Sequence, residues 1–219
     1  MFTDLPMNYK ANNLHTLHQK LKERLTKHLP GVESHLKMVP ADLWEHLQYT
    51  SNLPSPKKAA VLITLFPHND NISTLLIMRA ADDKVHGGQI GFPGGRCEPE
   101  DPSLEFTALR EANEEVGILP GEVSVVGTLS NLYIRASNFL IKPVVAISYQ
   151  HPDLKLNHSE VQYAIIVCLQ DLLHSTSHRD IHVRKQWIRN VPAYVINDHV
   201  IWGATAMMIS ELLDVFPTQ

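Results

Sequence analysis

The stretch GGQIGFPGGRCEPEDPSLEFTALREANEEVGI, residues 87–118, decides how the rest of this chain is read. Five of the ten glycines, Gly87, Gly88, Gly91, Gly94 and Gly95, stand within its first nine positions, and eight of the 23 carboxylates then fall between Glu98 and Glu122. No Gly-Lys-Ser/Thr follows the glycines, so this is not a P-loop, and the even spacing of Gly88, Gly91 and Gly94 is not that of a dinucleotide-binding turn. Taken alone, the glycines are explained by a tight turn that lets one strand cross closely over its neighbours.

The acidic segment adds chemistry to that turn. Asp101 suits a helix N-cap and Pro102 the first helical position, which predicts a helix over 102–116. At 100° per residue, Glu111, Glu114 and Glu115 fall within an arc of about 100°. Ala108, Leu109, Ala112 and Val116 occupy the adjacent arc and would face a sheet. Arg110 lies one turn before Glu114, within reach to pair with it and orient it. A solvated acidic face is the ordinary fate of such a charge run. Beside a loop able to admit phosphates, a hard divalent cation, Mg²⁺ or Mn²⁺, explains better why three mutually repelling carboxylates share one face.

Around this centre the chain reads as a globular protein. It has 219 residues, 44% hydrophobic and 19% charged, enough to bury a core without disulfides. The net charge of −4 offers no overall basic field for nucleic acid. No apolar run approaches the ~20 residues of a membrane helix, and Met1 to Lys10 does not resemble a secretory signal. With only Cys97 and Cys168, reduced thiols in a cytoplasmic setting are expected. Leu14, Leu17, Leu21 and Leu25 recur at helical spacing and end at Pro30-Gly31, a second short helix is predicted over 41–47, and a Pro/Ser-rich linker follows. Strands are predicted over 59–66, 73–78, 123–128, 138–148, 161–169, 181–187 and 193–196, with a second long helix over 204–215. The expected class is α/β or α+β: residues 1–58 form a helical extension and linker, and 59–219 a domain whose mixed sheet lies between helices.

The segments Gly95-Arg96-Cys97-Glu98-Pro99-Glu100-Asp101 and Arg110-Glu111-Ala112-Asn113-Glu114-Glu115-Val116-Gly117-Ile118 resemble the Nudix box. The second matches the pattern R-E-U-x-E-E-x-G-U, with Ala112 as a small residue at the first aliphatic position. Asp101 stands where the family has Glu, and one extra residue precedes Arg110. That longer spacing resembles the coenzyme A pyrophosphatase subfamily. So do Leu75-Leu76-Ile77-Met78-Arg79, His86-Gly87-Gly88-Gln89-Ile90-Gly91-Phe92-Pro93-Gly94-Gly95, Ser137-Asn138-Phe139 and Ile201-Trp202-Gly203-Ala204-Thr205-Ala206. The likeness spans roughly 59–215. It implies a Nudix-type sheet between helices and a metal-dependent diphosphatase whose substrate is coenzyme A or acyl-coenzyme A. The products would be 4′-phosphopantetheine and adenosine 3′,5′-bisphosphate.

Carried over by residue, Glu111 and Glu115 would ligate Mg²⁺ or Mn²⁺, with Glu114 a further ligand or a relay to the attacking water and the Gly95 carbonyl completing the shell. The catalytic set would be Glu114, Glu115 and Arg110, the last as an orienter. Arg79, Lys84, His86 and Gln89 would bind substrate or shape its loop. Glu160 heads a strand that could approach the metal, although a surface carboxylate is its ordinary reading. His174, His178 and His182 are four apart but fall on loop and strand, which breaks a helical zinc alignment. Cys97 has no neighbouring base and is not expected to act as a nucleophile. The alternatives are a Nudix hydrolase for ADP-ribose, NADH or a nucleotide sugar, and a non-catalytic ligand-binding module. A small-molecule partner is expected, with no nucleic acid and no membrane; a homodimer is compatible with the sequence.

Overall fold

A computed structural model describes residues 13–40, 55–80, 88–183 and 186–217; the helix predicted over 41–47 lies outside the described residues. The strand β1 (Lys57–His68) carries an unbroken buried apolar run, as a strand covered on both faces requires. Its alternate side chains serve two cores: Ala60, Leu62 and Phe66 enter one, and Val61, Ile63 and Leu65 the other. β2 (Asn71–Arg79) returns antiparallel with Thr74 opposite Leu65. β7 (Phe139–Ile147) runs parallel to β1, from Lys57 opposite Phe139 to Leu65 opposite Ile147. β3 (Ile90–Gly91) and β8 (Val161–Cys168) pair with β2, β4 (Gly94–Arg96) with the start of β1, and β5 (Ser124–Thr128) and β6 (Leu132–Ile134) with β7. The result is an eight-stranded mixed sheet.

One face is covered by α3 (Leu104–Val116), which buries Ala108, Ala112 and Val116 against Leu62, Phe66 and Val144. The other face receives α1 (Leu14–Leu25), the short α4 (Leu169–Leu173), α5 (Gly203–Val215) and a small antiparallel sheet of β9 (Thr176–Val183), β10 (Gln186–Ile196) and β11 (His199–Trp202). The predicted α+β sheet between helices is the observed arrangement. Leu14, Leu17, Leu21 and Leu25 join the same core as Val61, Ile63 and Val145, so the amino-terminal helix is packed into the molecule.

Two local expectations fail. The strand predicted over 181–187 straddles a hairpin, and the separate strand at 193–196 is the end of β10. Asn190 at φ +54° and a register shift between Ile188 and Val191 form a bulge within β10, which imitates a strand break in sequence. Asp101 is not the cap of α3. Ser103 is, its Oγ accepting the Phe106 N–H at 3.1 Å, so Pro102 precedes the cap rather than following it. Within the sheet, the glycine-rich segment contributes the short strands β3 and β4, which lack the side-chain pattern that would announce them.

A buried polar hub joins the ends of the described chain. Glu211 on α5 is fully buried. It pairs with His35 Nε2 at 3.0 Å and accepts the Gly31 N–H at 3.1 Å and the Ser130 N–H at 3.2 Å. Beside it, Asp214 accepts from Ser34 Oγ and from Lys37 Nζ, and Ser210 Oγ donates to the Ser34 carbonyl at 2.9 Å. These contacts seat α2 (Val32–Leu36) on α5. Burial pushes the Glu211 carboxyl up, but the bonds from His35 and Ser130 outweigh it and hold the group below its ordinary value. Its stabilising contribution is therefore complete above the unfolded value near 4.5 and is lost as pH falls through the lower folded value. Urea unfolding at neutral pH should show Glu211→Gln less stable by about 2–3 kcal/mol, with the gap narrowing on acidification; an equal stability at neutral pH would remove the hub's role.

Candidate active site

The glycine loop meets α3 along a seam with no spare volume. A Cβ on Gly94 (φ +151°) would lie 2.5 Å from Val61 Cα, so the backbone there can cross β1 only as glycine. A Cβ on Gly95 would lie 2.5 Å from Glu111 Cδ, which means the Glu111 carboxylate occupies the place a side chain would take.

The three helix carboxylates occupy different environments. Glu115 is 1% exposed: Oε1 takes Arg79 Nη1 at 2.7 Å, and Oε2 takes the Gly94 N–H at 2.8 Å. Arg79 also donates to the Gly94 carbonyl at 2.7 Å. Burial raises the Glu115 carboxyl, and the nearby charge of Glu160 adds to this, against the opposing pull of Arg79 and the Gly94 N–H. Glu111 is half-buried, raised by desolvation against the attraction of Arg110, with Glu115 and Glu114 repelling it. The Glu114 side chain is 54% exposed.

Arg110 does reach Glu114, at 3.2 Å, and Glu111 at 3.0 Å. Its main attachment is Asp101, met by Nε and Nη2 at 3.0 Å each, while Nη2 also donates to the Arg96 carbonyl at 3.2 Å. The bond from Arg110, with those from the Glu98 N–H and Thr107 Oγ1, holds the Asp101 carboxyl well below the usual carboxylate range despite its burial. This explains the departure at Asp101 physically: the residue clamps the arginine that spans Glu111 and Glu114.

The seam opens into a cavity of about 620 Å³. Gly94, Gly95 and Arg79 are among the residues that line it, and most of its wall is apolar. Gln89 lines the cavity, and its carbonyl accepts the Arg79 N–H at 3.1 Å. Lys84 and His86 lie outside the described residues. The guanidinium of Arg79, expected to face substrate, is turned onto Glu115 and the loop. Arg96 and Arg135 also line the cavity and were not singled out from sequence. Arg96 carried a signal, an arginine directly after Gly95; Arg135 carried none, because only the pairing of β6 with β7 brings the turn between them to the site.

Among the described residues, no three His, Cys, Asp or Glu side chains form a ready metal cage. Glu115, expected as a metal ligand, has both carboxylate oxygens taken by Arg79 and the Gly94 N–H, so the donors left to fit Mg²⁺ or Mn²⁺ are Glu111, Glu114 and the Gly95 carbonyl, all hard oxygens. Mg²⁺ commonly takes one or two carboxylates and completes its shell with waters and substrate phosphates.

The NUDIX domain family matches residues 56–189. A protein of Photorhabdus laumondii subsp. laumondii, described as uncharacterized Nudix hydrolase NudL, is 34% identical over 174 residues, covering 75% of this chain and 92% of that protein. The protein of the same description from Yersinia pestis (strain Pestoides F) is 34% identical over 176 residues, covering 79% and 85%. A solved Nudix hydrolase from Alicyclobacillus acidocaldarius aligns with a TM-score of 0.48 at 19% identity, over 56% of this chain and 83% of that one.

The two loop glycines should respond differently to alanine. Gly94→Ala drives a methyl into fixed backbone and should cost about 3 kcal/mol in a denaturant melt. Gly95→Ala displaces the end of a flexible carboxylate and should cost under about 1 kcal/mol. Equal losses would mean the loop does not cross β1 as closely as described.

Proposed function

Because the chain belongs to the Nudix hydrolase family, and so hydrolyses pyrophosphate bonds in nucleoside diphosphate derivatives, we propose that its substrate is coenzyme A or an acyl derivative. The observation that carries this reading is the seating of Glu111 against Gly95 at the edge of a large, mainly apolar cavity. The subsidiary motifs from Leu75 to Gly95 and from Ile201 to Ala206 support it by their likeness to the coenzyme A pyrophosphatases.

In this reading Glu111, Glu114 and the Gly95 carbonyl hold the metal. When bound, Mg²⁺ or Mn²⁺ neutralises charge on the diphosphate and acidifies a water for attack on phosphorus. In this reading Glu114, the most exposed of the three carboxylates, also takes up the proton of the attacking water. Arg110, fixed by Asp101, keeps Glu111 and Glu114 in register. Arg79 and Glu115 are positioning residues, since together they hold the Gly94–Gly95 backbone against α3. Arg96 and Arg135 meet phosphate oxygens, the part first assigned to Arg79. Positioning and charge neutralisation are the main demands of phosphoryl chemistry.

Glu114→Gln removes one charge from an exposed position and should leave the melting temperature of the metal-free protein nearly unchanged. It should lower kcat by about 10²-fold or more, and Mg²⁺ should raise its melting temperature less than that of wild type. Wild-type turnover in this variant at saturating metal would refute the role. Steady-state kinetics on a substrate panel tests the finer assignment. One charge-assisted hydrogen bond is worth about 1.5–3 kcal/mol, so kcat/KM for coenzyme A should exceed that for ADP-ribose and NADH by at least about tenfold. Comparable efficiencies would leave a Nudix hydrolase of another substrate.

A further inference from the structure

Part of the cavity wall is built by two segments outside the matched 56–189 region. Met38, Val39 and Pro40 follow α2, and Ala204, Met207 and Met208 lie in the first turns of α5; all six line the cavity. The wall is held from behind. His35, three residues before Met38, pairs with Glu211, which is one turn beyond Met207 and Met208. Asp214 and Ser210 secure Ser34 and Lys37 on the same two elements. A buried ionic hub thus fixes two apolar segments that belong to the core and line the cavity with the small part of their surface left open.

This arrangement exceeds what diphosphate cleavage requires. The groups assigned to phosphate, Arg96 and Arg135, line the same space with the Gly94–Gly95 backbone. The two segments have a different chemistry: aliphatic side chains and thioethers, with Val191 and Ile188 of β10 continuing them. Methionine side chains bend to fit an irregular or flexible apolar guest. Such a guest must reach the cavity while its diphosphate rests at the seam, so it is continuous with the diphosphate.

We propose that Met38, Val39, Met207 and Met208 are specificity-determining residues that select substrates carrying a flexible apolar chain beyond the diphosphate. The inference rests on the diphosphatase reading but does not require the substrate to be coenzyme A. Contact with the chain stabilises substrate and transition state alike, so the selection acts through KM.

The test is a kinetic series on alkyl esters of ADP, from methyl to octyl on the terminal phosphate, with coenzyme A assayed alongside in the same Mg²⁺ buffer. For the wild-type protein, kcat/KM should rise at least about tenfold from methyl to octyl, mainly through a falling KM. Met38→Ser and Met208→Ser should each reduce that ratio to within about threefold. The wild-type series needs no variant to fold, so it is decisive alone. Hydrolysis of both esters with equal efficiency overturns the proposal, and if coenzyme A is also cleaved the coenzyme reading survives without it. A chain-length gain that both variants keep overturns the assignment to these residues. A chain-length gain without coenzyme A cleavage supports the apolar wall and overturns the coenzyme reading instead.

Discussion

The buried ion pair between Arg79 and Glu115 is the constraint on which the corner between the glycine loop and α3 depends. A carboxylate that is 1% exposed is costly to desolvate, and that cost is offset only when the partners have good geometry and further hydrogen bonds. Here the partners come from three elements: Arg79 ends β2, Gly94 begins β4, and Glu115 stands on α3. The carbonyl of Glu115 also accepts the Asn157 N–H at 2.9 Å, drawing in the loop before β8. Removing any one partner leaves an uncompensated charge inside the protein. The glycine loop is therefore held at one height over β1, and Glu111 and Gly95 inherit their juxtaposition from that height.

A second buried carboxylate organises the opposite side. Glu211 gathers two backbone N–H groups and an imidazole, and it does so 176 residues along the chain from His35. The two centres divide the work. Glu115 fixes the glycine loop, and Glu211 fixes the apolar segments that line the same cavity. Both bring together segments distant in sequence, and neither group is free to move into bulk water.

The fold was legible to the extent that one element's own periodicity revealed it. Helix α3 and the strands β1, β2, β5, β7 and β8 have strong apolar patterns, and the mixed sheet follows from them. The hairpin of β9 and β10 was misread because a bulge at Asn190 interrupts one strand while no glycine or proline marks the turn. At the site, fixed spacing identified Glu111, Glu114, Glu115 and Arg110 as neighbours. It could not show that Glu115 turns inward, that Asp101 serves Arg110 rather than the helix end, or that Met38 and Met208 share a wall. Those facts arise from contacts between elements, and helical periodicity carries no information about them.

The long separation of the wall's two halves has a consequence for assembly. The parallel pairing of β1 with β7 and the docking of α5 onto α2 both join residues far apart in the chain, and such closures come late because their loop entropy must be met first. Helix α3 packs onto β1 over a much shorter interval. A nascent chain can thus form the corner between α3 and the glycine loop before the cavity wall exists. That wall is completed only when α5 closes onto α2.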